Sequence, residues 1–196
     1  PLCHHLKQLT REREQLQLDL TVVKNQIHAE QAGAWPNEQS LKQLKQRKNF
    51  ICSQIDSVDK EIKKVITSNP ELANKIKKIT SAPGIGLLTA ATVIGETNGF
   101  RNFRNKRQLV SYAGYDVVKK ESGTSVHGKA RISKRGNGHI RKAMHMPALT
   151  AIRHTAHNKN LFVRLVSKHG IKMKGVVAVQ RKLLVLIYTL WKKNEF

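Results

Sequence analysis

The chain has 196 residues, with 36 Lys or Arg against 13 Asp or Glu and a formal net charge of +23. This balance is too basic for an ordinary globular surface and indicates a polyanionic partner. No run of about 18 apolar residues occurs, which excludes a transmembrane helix, and the first residues do not form a secretory signal. With two cysteines, Cys3 and Cys52, these features favour a reduced, cytoplasmic setting.

The charge is concentrated in the second part of the chain. Residues 1–77 carry 13 Lys or Arg and 9 Asp or Glu, whereas residues 78–196 carry 23 and 4. A nucleic-acid surface is therefore expected in the second part. The chain lacks an initiator Met and enters a helical pattern at once, so we interpret it as the C-terminal piece of a longer protein.

Two heptad series open the chain and predict a first domain over residues 1–75. They are interrupted only by Arg13 and Lys48, which either specify register or lie exposed. Residues 33–37, with Gly and Pro, separate the two series and predict a long antiparallel helical hairpin, a coiled coil. A narrow seam needs a partner, so the hairpin is either a dimerisation arm or a plain spacer. The two series are Leu2, Leu6, Leu9, Arg13, Leu16, Leu20, Val23 and Ile27, then Leu41, Leu44, Lys48, Ile51, Ile55, Val58, Ile62 and Val65.

The second predicted domain, residues 76–196, is a compact helical domain that begins with a helix, a Pro-Gly-Ile-Gly turn and a further helix. This pattern is typical of a helix-hairpin-helix motif. Gly84 and Gly86 would let the turn approach a phosphate closely, and the free N–H groups of the next helix would face it. Such contacts do not depend on base sequence. The same pattern also serves as a plain corner between two helices.

The next segment is cationic. Arg101, Arg104 and Arg107 are spaced as one face of a helix, which either contacts a nucleic-acid backbone or is simply solvated. Residues 115–118 are β-prone and predict one strand of a small β-hairpin that returns near residues 125–126 or 130–132.

Three helices are predicted to complete the domain. The first has an apolar stripe from Ile140 to Ile152 and is kinked at Pro147. The second starts near Asn158 and ends at Gly170. The last, over about residues 174–193, is apolar nearly all round and should be the central core helix.

The stretch from Glu121 to Lys142 carries the chemistry. Three hydroxyls, Ser122, Thr124 and Ser125, lie among glycines and are followed by a cluster of cations that suit phosphate binding. A hydroxyl in such a cradle either donates a hydrogen bond to a phosphate or attacks phosphorus. The cations in this stretch are Lys129, Arg131, Lys134, Arg135, Arg141, Lys142 and, when protonated, His127.

Metal binding by this chain is not predicted. Its histidines have no paired cysteines or carboxylates at ligand spacing. Residues 78–196 contain only four acids, Glu96, Asp116, Glu121 and Glu195, without a cluster. Two-metal phosphoryl transfer needs several carboxylates close together, so the chain alone should not cleave DNA.

The order of these motifs resembles the C-terminal module of one large class of bacterial insertion-sequence transposases. The resemblance covers about residues 76–193, and the heptads fit the coiled coil of that class. Gly114-Tyr115-Asp116 departs from the family pattern, which has an apolar residue and a nearby Pro after the Gly. The motifs are residues 79–86 with Thr89-Ala90, Phe103, residues 108–114, residues 121–123, residues 132–137, residues 140–143 and residues 146–148.

The resemblance implies a role for Ser122. It matches the catalytic serine of the class, which would form a transient phosphoserine link to DNA. The acids that hold Mg²⁺ would belong to an N-terminal RuvC-like DEDD domain upstream of Pro1, so the fragment alone would be inactive. Some members of the class are guided by a bridge RNA, and the coiled coil would form a homo-oligomer. Without the resemblance, Ser125 and Ser133 remain candidates for the same role.

Two functions follow from the sequence. The first is DNA transposition or recombination, with phosphate contacts from Gly84, Gly86 and the cations Arg101, Arg104, Lys129, Arg131, Lys134, Arg135 and Arg141. The alternative is a non-catalytic helix-hairpin-helix module that binds DNA and dimerises. An RNA-binding scaffold has weaker support because no array of aromatics is available for stacking.

Overall fold

A computed structural model describes residues 2–118, 121–122, 126–128 and 131–193. The protein is mainly helical, as predicted, with a small set of paired strands. The helices are α1 (Leu2–Ala32), α2 (Glu38–Thr67), α3 (Pro70–Thr80), α4 (Leu87–Thr97), α5 (Lys106–Tyr112), α6 (Gly138–Ala143), α7 (His145–His154), α8 (Ala156–His169) and α9 (Lys172–Lys192). The strands are β1 (Val117–Val118), β2 (Glu121–Ser122), β3 (Val126–His127) and β4 (Arg131–Ile132).

Helices α1 and α2 form the predicted antiparallel hairpin, which we call the helical arm. Asn37 starts α2 by accepting a hydrogen bond from the Ser40 amide at 3.0 Å. Arg13, the polar interruption of the first heptad series, donates two hydrogen bonds to Asp59 across the arm, at 2.6 and 3.2 Å. This pair fixes the register of the two helices. The buried seam consists of Leu6, Leu9, Leu20, Val23, Ile51, Ile55, Val58, Ile62 and Val65.

The base of the arm belongs to the same core as the helices that follow. Leu6 and Ile62 are buried in one cluster with Ile94 and Leu184. The backbones of α1 and α4 touch, since a Cβ added at Gly95 would lie 2.8 Å from the Lys7 amide nitrogen. The predicted boundary between residues 75 and 76 falls inside α3. Only the distal part of the arm has a separate small core, made of Leu20, Val23, Ile51 and Ile55.

The four strands form two antiparallel pairs, which we call the strand hairpin (residues 117–132). Val117 pairs with Ile132 and Val118 with Arg131. Farther out, Glu121 pairs with His127 and Ser122 with Val126. The predicted return of the first strand near residues 130–132 is therefore confirmed.

The predicted helical face carrying Arg101 and Arg104 is wrong. Helix α4 ends at Asn98 in the left-handed conformation (φ 50°), and α5 begins only at Lys106. Between them Phe100, with φ 60°, is fully buried. Its ring packs edge-on against aromatic rings of α9, and this burial overrides the helical spacing of the arginines.

The predicted kinked helix around Pro147 is two helices, α6 and α7, which meet at Met144. Pro147 is the third residue of α7, where its missing N–H has no intrahelical partner to lose. The next helix ends at Gly170 (φ 68°), as predicted. Helix α9 is the core helix, with Val179, Leu184 and Ile187 fully buried. No helix in the described ranges is long and apolar enough to cross a bilayer.

Candidate nucleic-acid interface and strand hairpin

The two glycines of the α3–α4 turn have different surroundings. Gly84 has φ 88°, and a Cβ there would lie 2.6 Å from the Pro147 carbonyl oxygen of α7. Gly86 is exposed, caps α4 without a side-chain hydrogen bond and has no atom within 4 Å of an added Cβ. Gly84 is thus required by packing, and Gly86 leaves the free N–H groups at the start of α4 open to an anion.

Ser122 lies in β2, at the end of the strand hairpin that is farther from the helices. Residues 123–125, which include Thr124 and Ser125, lie outside the described residues, and so does Lys129. The backbone pairing of Ser122 with Val126 places this serine next to the three-residue connection between β2 and β3. Ser133 is half-buried at the opposite end, where its amide donates to the Asp116 carbonyl at 2.7 Å.

Residues 112–116 and 133–137 form the base of the strand hairpin. The Lys134 amide donates to the Gly114 carbonyl at 3.1 Å, and the Asn137 amide donates to the Tyr112 carbonyl at 2.7 Å. A Cβ at Gly136 would overlap that same Tyr112 oxygen. The two segments are therefore in direct backbone contact, so that a shift of one segment would require a shift of the other.

Arg141 is used inside this base. Its Nη1 donates to the carbonyls of Ala113 at 2.7 Å and Asn137 at 3.3 Å. A Cβ at Gly114 would lie 2.7 Å from this nitrogen, so glycine makes room for the guanidinium. A predicted phosphate ligand is thus committed, at least in part, to backbone carbonyls.

A buried carboxylate lies beside the same base, and the sequence analysis assigned it no role. The Glu96 side chain is 0% exposed and accepts from Arg11 Nε at 2.7 Å, from Arg11 Nη2 at 3.1 Å and from Asn137 Nδ2 at 2.6 Å. Tyr112 donates its hydroxyl to the Glu96 backbone carbonyl at 3.1 Å. Burial acts to raise the pKa of Glu96, but the hydrogen bonds from Arg11 and Asn137 outweigh it and hold the pKa below its ordinary value.

A second ion-pair group joins the arm to α6. Glu14 accepts from His139 Nδ1 at 2.6 Å and from Lys142 Nζ at 2.8 Å. Burial acts to raise the pKa of Glu14, but the hydrogen bonds from Lys142 and His139 outweigh it and hold the pKa below its ordinary value. These side chains line a groove of about 190 Å³ together with Thr89 and Thr92 from the first turns of α4.

The other predicted phosphate ligands that the structure describes lie in different parts of the surface. Arg131, Lys134 and Arg135 are exposed on β4 and the segment after it, beside the hairpin base. Arg101 lines a groove with Cys3 and Trp191, whereas Arg104 lies near Tyr188. The Gly86 turn and the Glu96 network lie at opposite ends of α4, roughly 16 Å apart at 1.5 Å per residue. The predicted phosphate-binding residues therefore lie in at least two separate regions of the surface and do not form a single site.

Within the described residues, no group of three or more His, Cys, Asp or Glu side chains is arranged to hold a metal ion. Two of the described carboxylates, Glu96 and Glu14, are engaged with basic side chains. The described side chains therefore provide no carboxylate cluster of the kind that two-metal phosphoryl transfer needs.

Known proteins with similar sequences are named as transposases or as pilin gene-inverting proteins. Residues 76–163 match the Transposase IS116/IS110/IS902 family. The matched region runs from α3 into α8 and contains the α3–α4 turn, the strand hairpin and its base.

Individual relatives agree with this match. The pilin gene-inverting protein of Moraxella bovis is 30% identical over 144 residues, which cover 72% of this chain and 44% of that protein. The transposase for insertion sequence element IS1111A of Coxiella burnetii is 28% identical over 145 residues, covering 72% of this chain and 38% of that protein. The chain spans less than half the length of these curated relatives.

Proposed function

We propose that the chain is the C-terminal part of a DNA recombinase of the insertion-sequence transposase type. In this proposal it binds the DNA backbone and supplies Ser122 as the nucleophile of a composite site. A metal-binding acidic domain upstream of Pro1 would complete that site, and a guide RNA would select the DNA in members that use one. The chain alone would be inactive, and two copies would associate through the helical arm.

The observation that carries the proposal is the position of the Ser122 backbone within a basic, anchored strand hairpin. Arg131, Lys134 and Arg135 are exposed on the same hairpin and its base. No Asp or Glu occurs between Glu121 and Glu195 in the sequence, so the positive charge of this half is not neutralised locally. Such a surface attracts phosphates strongly, and its affinity depends on salt.

The proposed reaction is a phosphoryl transfer. The Ser122 hydroxyl oxygen forms a bond to the DNA phosphorus while one bridging P–O bond breaks. The serine proton leaves to a base of the composite site, and the departing DNA oxygen becomes a strand hydroxyl by taking up a proton. The phosphoserine link conserves the energy of the phosphodiester, and a second strand hydroxyl releases the serine by attacking it. Exposed cations would stabilise the charge that builds up on phosphorus.

The test compares Ser122→Ala with Ser133→Ala in the intact protein, with Mg²⁺, its DNA and any guide RNA. We expect a denaturation-resistant protein–DNA adduct in the wild type and in Ser133→Ala, and none in Ser122→Ala. All three proteins should bind DNA alike. Cleavage by Ser122→Ala would reject the serine nucleophile.

A second candidate is a non-catalytic DNA-binding module, as the open start of α4 at Gly86 suggests. The N–H groups of that turn would then bind one phosphate in a helix-hairpin-helix mode. An adduct-free wild type whose DNA affinity falls in Gly86→Ala would favour this candidate over the recombinase.

A further inference from the structure

The buried carboxylate of Glu96 lies where the helical arm, α4 and the base of the strand hairpin meet. Arg11, which binds both of its oxygens, belongs to the arm. Asn137, which binds one of them, closes the hairpin base and begins α6. Tyr112, on the other segment of the base, binds the Glu96 backbone. One residue is therefore shared by three parts of the molecule that are far apart in sequence.

We propose that Glu96 is a positioning residue that fixes the strand hairpin, and with it Ser122, relative to the helical arm. The inference rests on the proposed function for its catalytic consequence but not for its structural one. Its basis is the pattern of donors. Each Glu96 oxygen accepts a hydrogen bond from Arg11, and one also accepts from the side-chain amide of Asn137. A glutamine at this position would place its NH₂ group against one of these donors.

A buried ion pair alone would be a weak basis, because such pairs often contribute little net stability. Here one partner of Glu96, Asn137, also starts a helix. Asn137 Oδ1 accepts from the Ile140 amide at 3.0 Å and so starts α6, while its Nδ2 reaches Glu96. The Asn137 side chain thus caps α6 with its oxygen and binds Glu96 with its nitrogen. A substitution can therefore keep the cap and remove the contact with Glu96.

Asn137→Ser keeps an oxygen that can cap α6 but removes the donor to Glu96. The matched control is Asn37→Ser, because Asn37 caps α2 through the Ser40 amide at 3.0 Å, in the distal arm. Both variants replace one Asn cap by one Ser cap. Only Asn137→Ser breaks the link between Glu96 and the hairpin base.

The first measurement is native-state amide exchange of this chain, read at Ser133, Lys134 and Asn137, whose amides pair across the hairpin base. We expect Asn137→Ser to accelerate exchange there by about tenfold or more relative to Asn37→Ser. Equal exchange in the two variants would overturn the inference.

The arm provides the second measurement. Arg11→Met should accelerate exchange at the same three amides, although Arg11 lies more than 120 positions away in the sequence, and Arg11→Lys should restore part of the protection. Faster exchange confined to α1 would show that Arg11 stabilises only its own helix and would overturn the inference.

The catalytic consequence is read in the intact protein. Asn137→Ser should form the Ser122 adduct at least tenfold more slowly than Asn37→Ser, with DNA affinity within twofold. An adduct rate equal to that of the control would overturn the positioning role in the reaction. If the wild type forms no adduct, the proposed function fails, and the exchange experiments still decide whether Glu96 positions the hairpin.

Discussion

The helical arm and the domain that follows it differ in how far acidic side chains balance their basic side chains. In the arm, Arg13 pairs with Asp59 across the seam, and the exposed lysines are interspersed with acids. Beyond Glu121 the domain has no carboxylate until Glu195. The acid it does bury, Glu96, is held between Arg11 and Asn137. The arm nearly balances its charges, whereas the domain carries a large excess of cations, with Arg131, Lys134 and Arg135 among the exposed ones.

The largest effect that tests this contrast is on DNA affinity. Lys134→Glu with Arg135→Glu should weaken duplex binding about tenfold or more and lower the magnitude of the salt slope by about 2, because each lost phosphate contact contributes about 0.9. The arm control, Lys42→Glu with Lys45→Glu, alters the charge equally on exposed residues of α2. Its affinity should stay within about twofold. Filter binding across a salt series measures both, and equal losses would mean that net charge alone drives binding.

Backbone packing gives the next contrast. Gly84→Ala should cost about 2–3 kcal/mol, because a Cβ at 2.6 Å from the Pro147 oxygen and a φ of 88° both oppose it. In the arm, Gly33→Ala meets nothing closer than 3.4 Å and should change stability by less than about 0.5 kcal/mol. Urea unfolding measures both free energies. A tolerated Gly84→Ala would mean that α7 can move away from the turn.

The sequence predicted elements whose pattern is local and missed those that depend on tertiary contacts. Heptad spacing was sufficient for the arm, and glycine C-caps ended helices where expected, as at Gly170. The arginine face was wrong because Phe100 is drawn into the aromatic core, which spacing alone does not reveal. Pro147 was read as a kink, although it lies in the first turn of a new helix.

The candidate site was predicted only in outline. Residue type and resemblance predict the basic Gly-rich stretch and Ser122, and this prediction is still to be tested. Lys129 and the connection after Ser122 lie outside the described residues. Glu96 is a single acid in the apolar helix α4, a pattern that itself indicates a buried carboxylate with a partner. Its partners, Arg11 and Asn137, are 85 and 41 positions away, and no local pattern joins such distances.

The two Arg–carboxylate pairs offer a smaller contrast. Arg11→Met should cost about 2 kcal/mol, a value reduced by the partial exposure of Arg11, because it leaves the Glu96 carboxylate buried without its main cation. Arg13→Met should cost about 1 kcal/mol, since Asp59 can be hydrated. Thermal unfolding at matched pH compares them. A larger cost in the arm would place the critical ion pair there instead.

The pH dependence of the same carboxylate has a defined sign. The pKa of Glu96 in the folded protein lies below its ordinary value of 4.5, so the stability it contributes is present above about pH 4.5 and is lost as the pH falls through the folded-state pKa. The melting temperature of Glu96→Gln should therefore fall less steeply than that of the wild type below about pH 4.5. Parallel curves would show that other carboxylates govern acid unfolding.

The smallest expected effects come from two tyrosines of the hairpin base, of which Tyr112 has a hydrogen-bond partner for its hydroxyl and is partly exposed. Tyr115 is 1% exposed, and within the described residues its hydroxyl forms no hydrogen bond. Tyr115→Phe removes an unsatisfied buried polar group and should leave stability unchanged or raise it by up to about 1 kcal/mol. Tyr112→Phe loses the bond to the Glu96 carbonyl and should cost about 1 kcal/mol. Because the ring stays in place, the cost of Tyr112→Phe reports the hydroxyl contacts that tie α4 to the hairpin base, with Asn137 as the second partner. An unchanged unfolding free energy would mean that these contacts add nothing to the anchoring of the strand hairpin.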